Sequence, residues 1–200
     1  MQYRNFVFDL GNTLFDEKRD EKGCAATLVP FKIAAKDEAQ YQTLLSNLML
    51  GNVTVKQVKS MLIAQDAINE EILANVDTIP FYRRNLPALT RSIYVPFMAR
   101  DEKYRVFILS NASDAMRDYA KWYFKTEKCN IGYVFSCDVG MMKPDIRIYK
   151  ELLKKYDLKA EETIFFDDMP KNCCAAELCG IKSVLVKSLT ESDELLGYLS

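Results

Sequence analysis

Four short clusters of polar residues in this chain carry side chains suited to phosphorus chemistry. They are Asp9 in FDLGNTL, Ser110-Asn111 in FILSNAS, Lys143 in GMMKPD and Asp167-Asp168 in IFFDDMPKN. Phosphoryl transfer needs a nucleophile, a divalent cation and hydrogen-bond donors for the phosphoryl oxygens. A carboxylate can attack phosphorus, and neighbouring carboxylates repel one another unless a cation joins them. Each cluster alone has an ordinary reading as a turn or an exposed loop, but together they favour metal-assisted phosphoryl transfer.

The amino-acid composition removes several other kinds of active site. The chain contains no histidine, which excludes a Ser-His-Asp triad, a Cys-His dyad and a histidine-ligated zinc site. A site in which oxygen ligands bind a hard cation such as magnesium remains compatible with the composition. No C-x-x-C pair occurs, and free thiols are expected at Cys24, Cys129, Cys137, Cys173, Cys174 and Cys179.

Charge and hydropathy favour a globular protein with a small-molecule partner. The 27 basic residues are balanced by 28 acidic ones, and no basic run is dense enough for nucleic acid or an anionic membrane. No apolar stretch approaches the length of a membrane span, and the N-terminus lacks a signal-peptide pattern. We therefore expect a cytoplasmic protein, as a monomer or weak homodimer, with neither a nucleic-acid nor a membrane partner.

Short apolar segments alternate with helical patterns outside one long stretch of the chain. This order predicts an α/β fold with a parallel, Rossmann-like sheet, in which ligands bind beyond the carboxyl ends of the strands. Helices are expected after Ser110 and Pro144, and Pro96 suits the first position of a short helix. Further helices are expected at 172–179, closed by Gly180, and at 191–199. The predicted strands are 3–8, 105–109, 133–136, 163–166 and 183–186.

The long stretch 16–92 shows helical apolar periods and almost no strand signal. One set of apolar residues recurs at intervals of three and four over 33–49, and a second does so over 55–68. The second set follows Thr54, which suits a helix N-cap. The pattern predicts an all-helical insertion between the first two strands.

The four polar clusters, in this order and each at a strand end or loop, resemble the motifs of the haloacid dehalogenase superfamily of phosphohydrolases. The resemblance implies a core formed by 1–15 and 93–200, with 16–92 as the helical cap. It implies that Asp9 is the nucleophile and that Asp9, Gly11 and Asp168 bind magnesium (Mg2+).

The resemblance also assigns residues to the substrate and to the support of the metal. It implies that Lys143 is catalytic and that Asp167 supports the metal from behind its ligands or through water. The residues implied to bind a small phosphoester substrate are Leu10, Gly11, Ser110, Asn111 and Lys143.

A narrower resemblance concerns the substrate. DLGNTL, LSNAS, VGMMKPDIRIYKELL and TIFFDDMPKNCCAAELCGIKSVLVK are similar to segments of bacterial phosphatases acting on α-D-glucose 1-phosphate. The phosphatase domain of soluble epoxide hydrolase is a more distant likeness. The expected activity is phosphate release from a sugar phosphate such as glucose 1-phosphate, through an aspartyl-phosphate.

Gly11 departs from the family pattern. Most phosphatases of this superfamily carry Asp at that position as general acid and base, a role worth about 10²–10⁴ in rate. A sugar 1-phosphate could tolerate the loss because its leaving hydroxyl is more acidic than an ordinary alcohol. Alternatively, the chain binds phosphoesters with negligible turnover. Asp16 is a candidate substitute, although its position suits the first residue of the cap hinge.

Three other functions share parts of this pattern. A haloacid dehalogenase also uses an Asp nucleophile, but it needs no metal and gains nothing from paired acids at 167–168. A phosphomutase must repeatedly protonate a sugar hydroxyl, which Gly11 argues against. A non-catalytic protein that binds a phosphorylated metabolite is supported by Gly11 alone.

Overall fold

A computed structural model of the chain describes residues 3–19, 21, 24–66, 69–89, 92, 94–125 and 130–186. The predicted helix at 191–199, Ile68 and Cys129 lie outside this part. The five cysteines within it are free thiols, as expected. No helix among the described residues is long and apolar enough to span a membrane.

A parallel sheet forms the centre of the described part of the chain. Its strands lie in the order β3-β2-β1-β4-β5, so β1 is central and the two neighbours of β1 are β2 and β4. The prediction of a Rossmann-like α/β fold is confirmed. The strands are β1 (Asn5–Phe8), β2 (Arg105–Ser110), β3 (Ile131–Phe135), β4 (Thr163–Asp167) and β5 (Lys182–Leu185).

Helices connect these strands and fill the long insertion. A short 3-10 helix, Ala160–Glu162, precedes β4. The α-helices of the described residues are α1 (Val29–Ala34), α2 (Glu38–Met49), α3 (Val55–Ala64), α4 (Glu70–Leu73), α5 (Ile79–Asn85), α6 (Tyr94–Met98), α7 (Asp114–Tyr123), α8 (Ser136–Val139), α9 (Ile146–Tyr156) and α10 (Pro170–Glu177).

Both faces of the sheet are buried. Alternate residues of a strand point to opposite sides, and those of β1 enter two different apolar clusters. Phe6 and Phe8 of β1 join an apolar cluster that also contains Tyr119 of α7. Val7, between them, joins a second cluster with Leu152 of α9. Near-continuous apolar strands are typical of parallel sheets covered on both sides. This packing brings the strand ends to one edge.

The insertion leaves and rejoins the sheet region through two neighbouring segments. The Asp16 amide donates to the Pro87 carbonyl oxygen at 2.8 Å, and the Leu89 amide donates to the Leu14 carbonyl oxygen at 2.9 Å. Within the described residues the regular secondary structure of the insertion is helical, beginning at Val29, with isolated bridges such as the one that joins Phe15 to Ala88. These paired segments hold residues 16–19 close to the end of β1.

The helical periods of the insertion are only partly as predicted. The run over 33–49 is broken, because Asp37 begins a new helix by accepting a hydrogen bond from the Gln40 amide. Ile33 consequently lies on the short helix α1 with 61% of its surface exposed. Thr54 is the predicted N-cap, and it forms a capping box with Gln57.

Two helix starts differ from the sequence-based expectation. Pro96 is the third residue of α6, whereas the first position was predicted. Proline is accepted there because the amides of the first helical turn have no acceptor within the helix. Helix α10 begins at Pro170, two residues before the predicted start, for the same reason. Gly180 follows α10 with a positive φ of 78°, as suits a helix end.

Candidate active site

Asp9 lies directly after the central strand. Its amide donates to the Phe166 carbonyl oxygen at 2.9 Å, which extends the β1–β4 pairing by one residue and fixes the main chain. The Asp9 side chain reaches Lys143, whose Nζ lies 2.7 Å from Oδ1. The Ser110 hydroxyl, at the end of β2, donates a hydrogen bond to the same carboxylate. Two neighbouring strands and one loop therefore position the carboxylate.

Lys143 joins two buried carboxylates. Its Nζ is 2.6 Å from Oδ2 of Asp167 as well as 2.7 Å from Asp9, and its side chain is only 1% exposed. Burial alone would lower the pKa of Lys143, but attraction to Asp9 and Asp167 outweighs it, so the pKa is raised above its usual value. The ammonium therefore stays charged where it is needed to balance these acids.

Asp167, the last residue of β4, is completely buried and fully engaged. Its Oδ1 accepts from the Met169 amide at 2.8 Å and from Nδ2 of Asn172 at 2.9 Å. Its Oδ2 accepts from Asn172 at 3.1 Å and from Lys143. Both oxygens are thus occupied by protein donors, which suits a carboxylate that orients its neighbours.

Asp168, next in the chain, faces the cleft instead. Its Oδ2 accepts from Nδ2 of Asn12 at 3.2 Å. Partial burial raises the pKa of Asp168, with the Asn12 hydrogen bond opposing and Asp167 adding to the rise. The two adjacent acids therefore differ in surroundings, one enclosed and one open to a ligand.

The three acids form one cluster. Asp9, Asp167 and Asp168 each offer an oxygen, and these oxygens lie within 4.8 Å of one another. Burial raises the pKa of Asp9 from 3.8 to about 6, against the attraction of Lys143, and Asp167 adds to the rise. Three carboxylates with one buried ammonium leave an excess of negative charge.

This donor set fits magnesium. Mg2+ favours oxygen ligands, and it is usually bound by one or two carboxylates together with water and phosphate oxygens. Because Asp167 is occupied by Lys143, Met169 and Asn172, the carboxylates left to bind a cation directly are Asp9 and Asp168. A divalent cation there would offset the excess negative charge.

Asn111 holds Lys143 in place. Its Oδ1 accepts from the Lys143 amide at 2.8 Å, and its Nδ2 donates to the Lys143 carbonyl oxygen at 2.9 Å. Ser110 and Asn111 both line the cleft, as their predicted substrate-binding role requires. The side-chain amide of Asn111 is nevertheless hydrogen-bonded to the main chain of Lys143. Asn111 therefore also positions Lys143, a role that the sequence did not indicate.

Leu10 and Gly11 occupy different environments. The Leu10 side chain is completely buried, and Leu10 is absent from the described residues that line the cleft. The prediction that Leu10 binds substrate would therefore require a contact through its main chain. Gly11 does line the cleft, beside Asp9.

The cleft also contains residues that sequence reasoning missed. Glu17 and Arg19 lie in its wall, with the Arg19 guanidinium 3.2 Å from the Glu17 carboxylate. Asp16, the predicted substitute acid, is not among the described lining residues. The cleft volume is about 170 Å³. The lining residues contributed by helices and the insertion include Thr27, Leu28, Met49, Tyr82, Ser113 and Met116.

Solved structures of similar fold cover nearly the whole chain. A haloacid dehalogenase family enzyme from Bacteroides thetaiotaomicron, in complex with magnesium and inorganic phosphate, matches with a TM-score of 0.71 and 22% identity, over 96% of this chain and 98% of the other. A predicted haloacid dehalogenase-like family hydrolase from Porphyromonas gingivalis matches with a TM-score of 0.74 and 23% identity, over 100% of this chain and 98% of the other. At these identities the likeness is one of fold.

Curated relatives match over shorter stretches. A sesquiterpene phosphatase of Aspergillus oryzae is 44% identical over 57 residues, 28% of this chain and 29% of its own length. Bifunctional epoxide hydrolase 2 of Rattus norvegicus is 36% identical over 66 residues, 31% of this chain and 12% of the relative. The matched stretches thus span less than a third of these relatives. The family match is far longer: residues 3–180 match the haloacid dehalogenase-like hydrolases, and the chain belongs to that family.

Proposed function

We propose that this chain is a magnesium-dependent phosphatase that hydrolyses a small phosphorylated metabolite through an aspartyl-phosphate on Asp9. The observation that carries the proposal is the placing of Asp9 against Lys143, at 2.7 Å, with Asp168 facing the same cleft. Family membership supports hydrolysis, and the carboxylate cluster favours phosphoryl transfer over metal-free dehalogenation.

The residues of the cleft divide the reaction between them. The Asp9 carboxylate forms a bond to phosphorus as the bond to the leaving oxygen breaks, and water then hydrolyses the acyl phosphate. Lys143 fixes that carboxylate and, by its charge, opposes the protonation that burial favours. Ser110 and the Lys143 ammonium offer donors to the phosphoryl oxygens. Magnesium, bound by Asp9, Asp168 and the Gly11 carbonyl, would supply positive charge against the phosphoryl group.

A sugar phosphate such as glucose 1-phosphate is the proposed substrate. Two features support it: the motif resemblance to glucose-1-phosphate phosphatases, and a cleft of about 170 Å³. Sites for drug-sized ligands measure about 300–1,000 Å³, so this cleft favours a small phosphoester.

A phosphoester with an apolar leaving group is the second candidate. Leu28, Met49, Met116 and Met169 line the cleft, and flexible methionines adapt to apolar ligands. One relative is a sesquiterpene phosphatase, which supports an isoprenyl monophosphate. Comparing kcat/KM for glucose 1-phosphate and farnesyl monophosphate separates the two candidates.

We propose further that 16–92 acts as a cap over a core formed by 1–15 and 93–200. The paired connections Asp16–Pro87 and Leu14–Leu89 support it, because they bring both ends of the insertion to one crossing point. A cap of this kind would close over the cleft and exclude water from the reacting phosphate.

The experiment is phosphate release from a panel of sugar phosphates, with and without magnesium, by wild type and Asp9→Asn. We expect release only with magnesium and a loss of roughly 10⁴-fold or more in Asp9→Asn, as when other covalent nucleophiles are removed. Asp118→Asn, at a side chain that is 65% exposed, is the matched control and should retain activity. Undiminished release by Asp9→Asn would contradict the proposal.

A further inference from the structure

Gly11 is not required by the main chain or by lack of space. Its φ lies outside the left-handed region, in contrast to Gly51, Gly140 and Gly180. A side chain at position 11 would place its Cβ 3.8 Å from Cδ and from Oε2 of Glu17, an ordinary contact distance. Within 4 Å, these two atoms are the nearest neighbours that such a Cβ would meet. The space left by the missing side chain is therefore bordered by a carboxyl group.

Glu17 is held at this place from two directions. Its amide donates to Oδ1 of Asn12 at 3.3 Å, while Nδ2 of the same Asn12 donates to Asp168. One asparagine thus links the main chain of Glu17 to the acidic cluster. The Glu17 carboxylate accepts from Arg19 at 3.2 Å, and Glu17 shares the cleft wall with Asp9 and Gly11.

We propose that Glu17 is a catalytic residue, the general acid and base of this enzyme, in place of the side chain that is missing at Gly11. The inference rests on the proposed phosphatase function and deepens it. It replaces both explanations offered for Gly11, an unassisted leaving group and a protein without turnover.

In the first half-reaction the Glu17 carboxyl group gives its proton to the leaving oxygen. An Asp9 oxygen bonds to phosphorus, the phosphorus–oxygen bond of the substrate breaks, and the alcohol departs with that proton. In the second half, the Glu17 carboxylate takes a proton from water. The water oxygen bonds to phosphorus, the acyl-phosphate bond to Asp9 breaks, and inorganic phosphate leaves with Asp9 and Glu17 restored.

The surroundings of Glu17 suit this alternation. Burial raises the pKa of Glu17, with Arg19 opposing and Asp168 adding to the rise. Arg19 is 51% exposed, and an ion pair open to solvent is weak, so it does not lock Glu17 in the charged form. A carboxyl group with a raised pKa exchanges protons more readily near neutral pH.

The test compares Glu17→Gln with wild type on three substrates that differ in the leaving group: glucose 6-phosphate, glucose 1-phosphate and p-nitrophenyl phosphate. Glutamine keeps the shape but cannot donate or accept the proton. We expect the single-turnover rate constant for phosphoenzyme formation to fall about 10²–10³-fold on glucose 6-phosphate, less on glucose 1-phosphate and least on p-nitrophenyl phosphate, which needs no acid. Asp16→Asn, the neighbouring acid outside the cleft wall, should behave as wild type.

Two further readouts separate catalysis from structural damage. Because hydrolysis of the aspartyl-phosphate needs the same base, Glu17→Gln mixed with p-nitrophenyl phosphate should accumulate phosphorylated Asp9, detected by intact-protein mass spectrometry. The rise in melting temperature with magnesium should match wild type, since Glu17 is not a proposed ligand. The double variant Gly11→Asp/Glu17→Gln should regain at least tenfold of the lost activity, because position 11 has room for the side chain.

The outcomes distinguish this inference from the proposal beneath it. Wild type that releases phosphate from none of the three substrates, nor from farnesyl monophosphate, would remove the phosphatase function itself. Wild-type turnover combined with an equal loss in the rate of phosphoenzyme formation on all three substrates in Glu17→Gln, and no rescue by Gly11→Asp, would overturn only the role of Glu17.

Discussion

Two regions present carboxylates to the same cleft, and they differ in how deeply those carboxylates are buried and in what holds them. The strand-end cluster, Asp9, Lys143 and Asp167, is buried, and Asp167 accepts from Lys143, a main-chain amide and Asn172. The connecting segment, residues 16–19, carries Glu17, whose carboxylate accepts from the half-exposed Arg19 guanidinium. The first region is held by buried side-chain contacts from three separate parts of the chain, and the second by main-chain hydrogen bonds of Asp16 to Pro87 and of Glu17 to Asn12.

The difference separates what the fold fixes from what it leaves adjustable. Moving Asp9 or Asp167 would disturb the central strands and leave buried charge without a partner, which is costly. A loop beside the cleft accepts new side chains at little cost to the core. A carboxyl group supplied from residue 17 instead of residue 11 therefore leaves the strands untouched.

Lys143→Met tests the strand-end cluster most severely. Methionine keeps similar volume but leaves Asp9 and Asp167 buried without their cation, so we expect the free energy of unfolding to fall by about 3–5 kcal/mol. Urea denaturation measures it, with the exposed Lys150→Met as the matched control. Equal stability of the two variants would contradict the strand-end half of the comparison.

Magnesium and pH probe the same cluster without mutation. Since the pKa of Asp9 is raised from 3.8 to about 6, the folded state binds more protons than the unfolded state between these values, and metal-free stability should fall as pH rises through that window. Asp9→Asn should reduce this slope, and the raised pKa values of Asp168 and Glu17 should account for what remains. Magnesium competes with the proton, so it should stabilise the protein more at pH 7.5 than at pH 5. At a hundredfold excess over Kd the stabilisation at pH 7.5 should be about 2.7 kcal/mol.

Asn111→Ala weakens the support of Lys143 without removing its charge. Losing the two hydrogen bonds to the Lys143 main chain should cost about 1–3 kcal/mol of stability. It should also lower kcat about tenfold through misplacement of the ammonium, with KM less affected. Thermal denaturation and steady-state kinetics measure the two effects, and an unchanged kcat would show that Lys143 needs no such support.

Thr54→Ala is the mildest change and concerns the insertion away from the cleft. It removes the capping box of α3, which should cost about 1 kcal/mol. Phosphate release at 25 °C should be unchanged, because residue 54 does not line the cleft among the described residues. A parallel loss of activity would mean that the insertion and the chemistry are more tightly coupled than the comparison implies.

The strand-end half of the site was predictable from the sequence. Each strand is a short apolar run, and Asp9 and Asp167-Asp168 follow such runs directly, so a parallel sheet with central β1 must bring them to one edge. Lys143 was a candidate by residue type and its catalytic role came from the family resemblance, but the sequence did not show how it is held, because its loop depends on Asn111.

The connecting-segment half was not predictable. Asp16 and Glu17 are adjacent acids, and nothing in their types tells which one faces the cleft. The choice is made by tertiary contacts: the Asp16 amide pairs with Pro87, and the Glu17 amide pairs with Asn12. The same limit applies to Ile33. The spacing of apolar residues placed it in one helical pattern over 33–49, but Asp37 begins a new helix within that range.

The proposed movement of the insertion about the crossing of the two connecting segments would have a kinetic consequence. Glu17 is the residue that follows the Asp16–Pro87 hydrogen bond, so a rotation of the insertion about this crossing would move the carboxyl group and admit solvent in a single motion. An acyl phosphate formed on Asp9 would then survive while the insertion is open, because the proposed base, Glu17, moves away from the cleft as water enters. Turnover would be timed by the return of the insertion rather than by access of water.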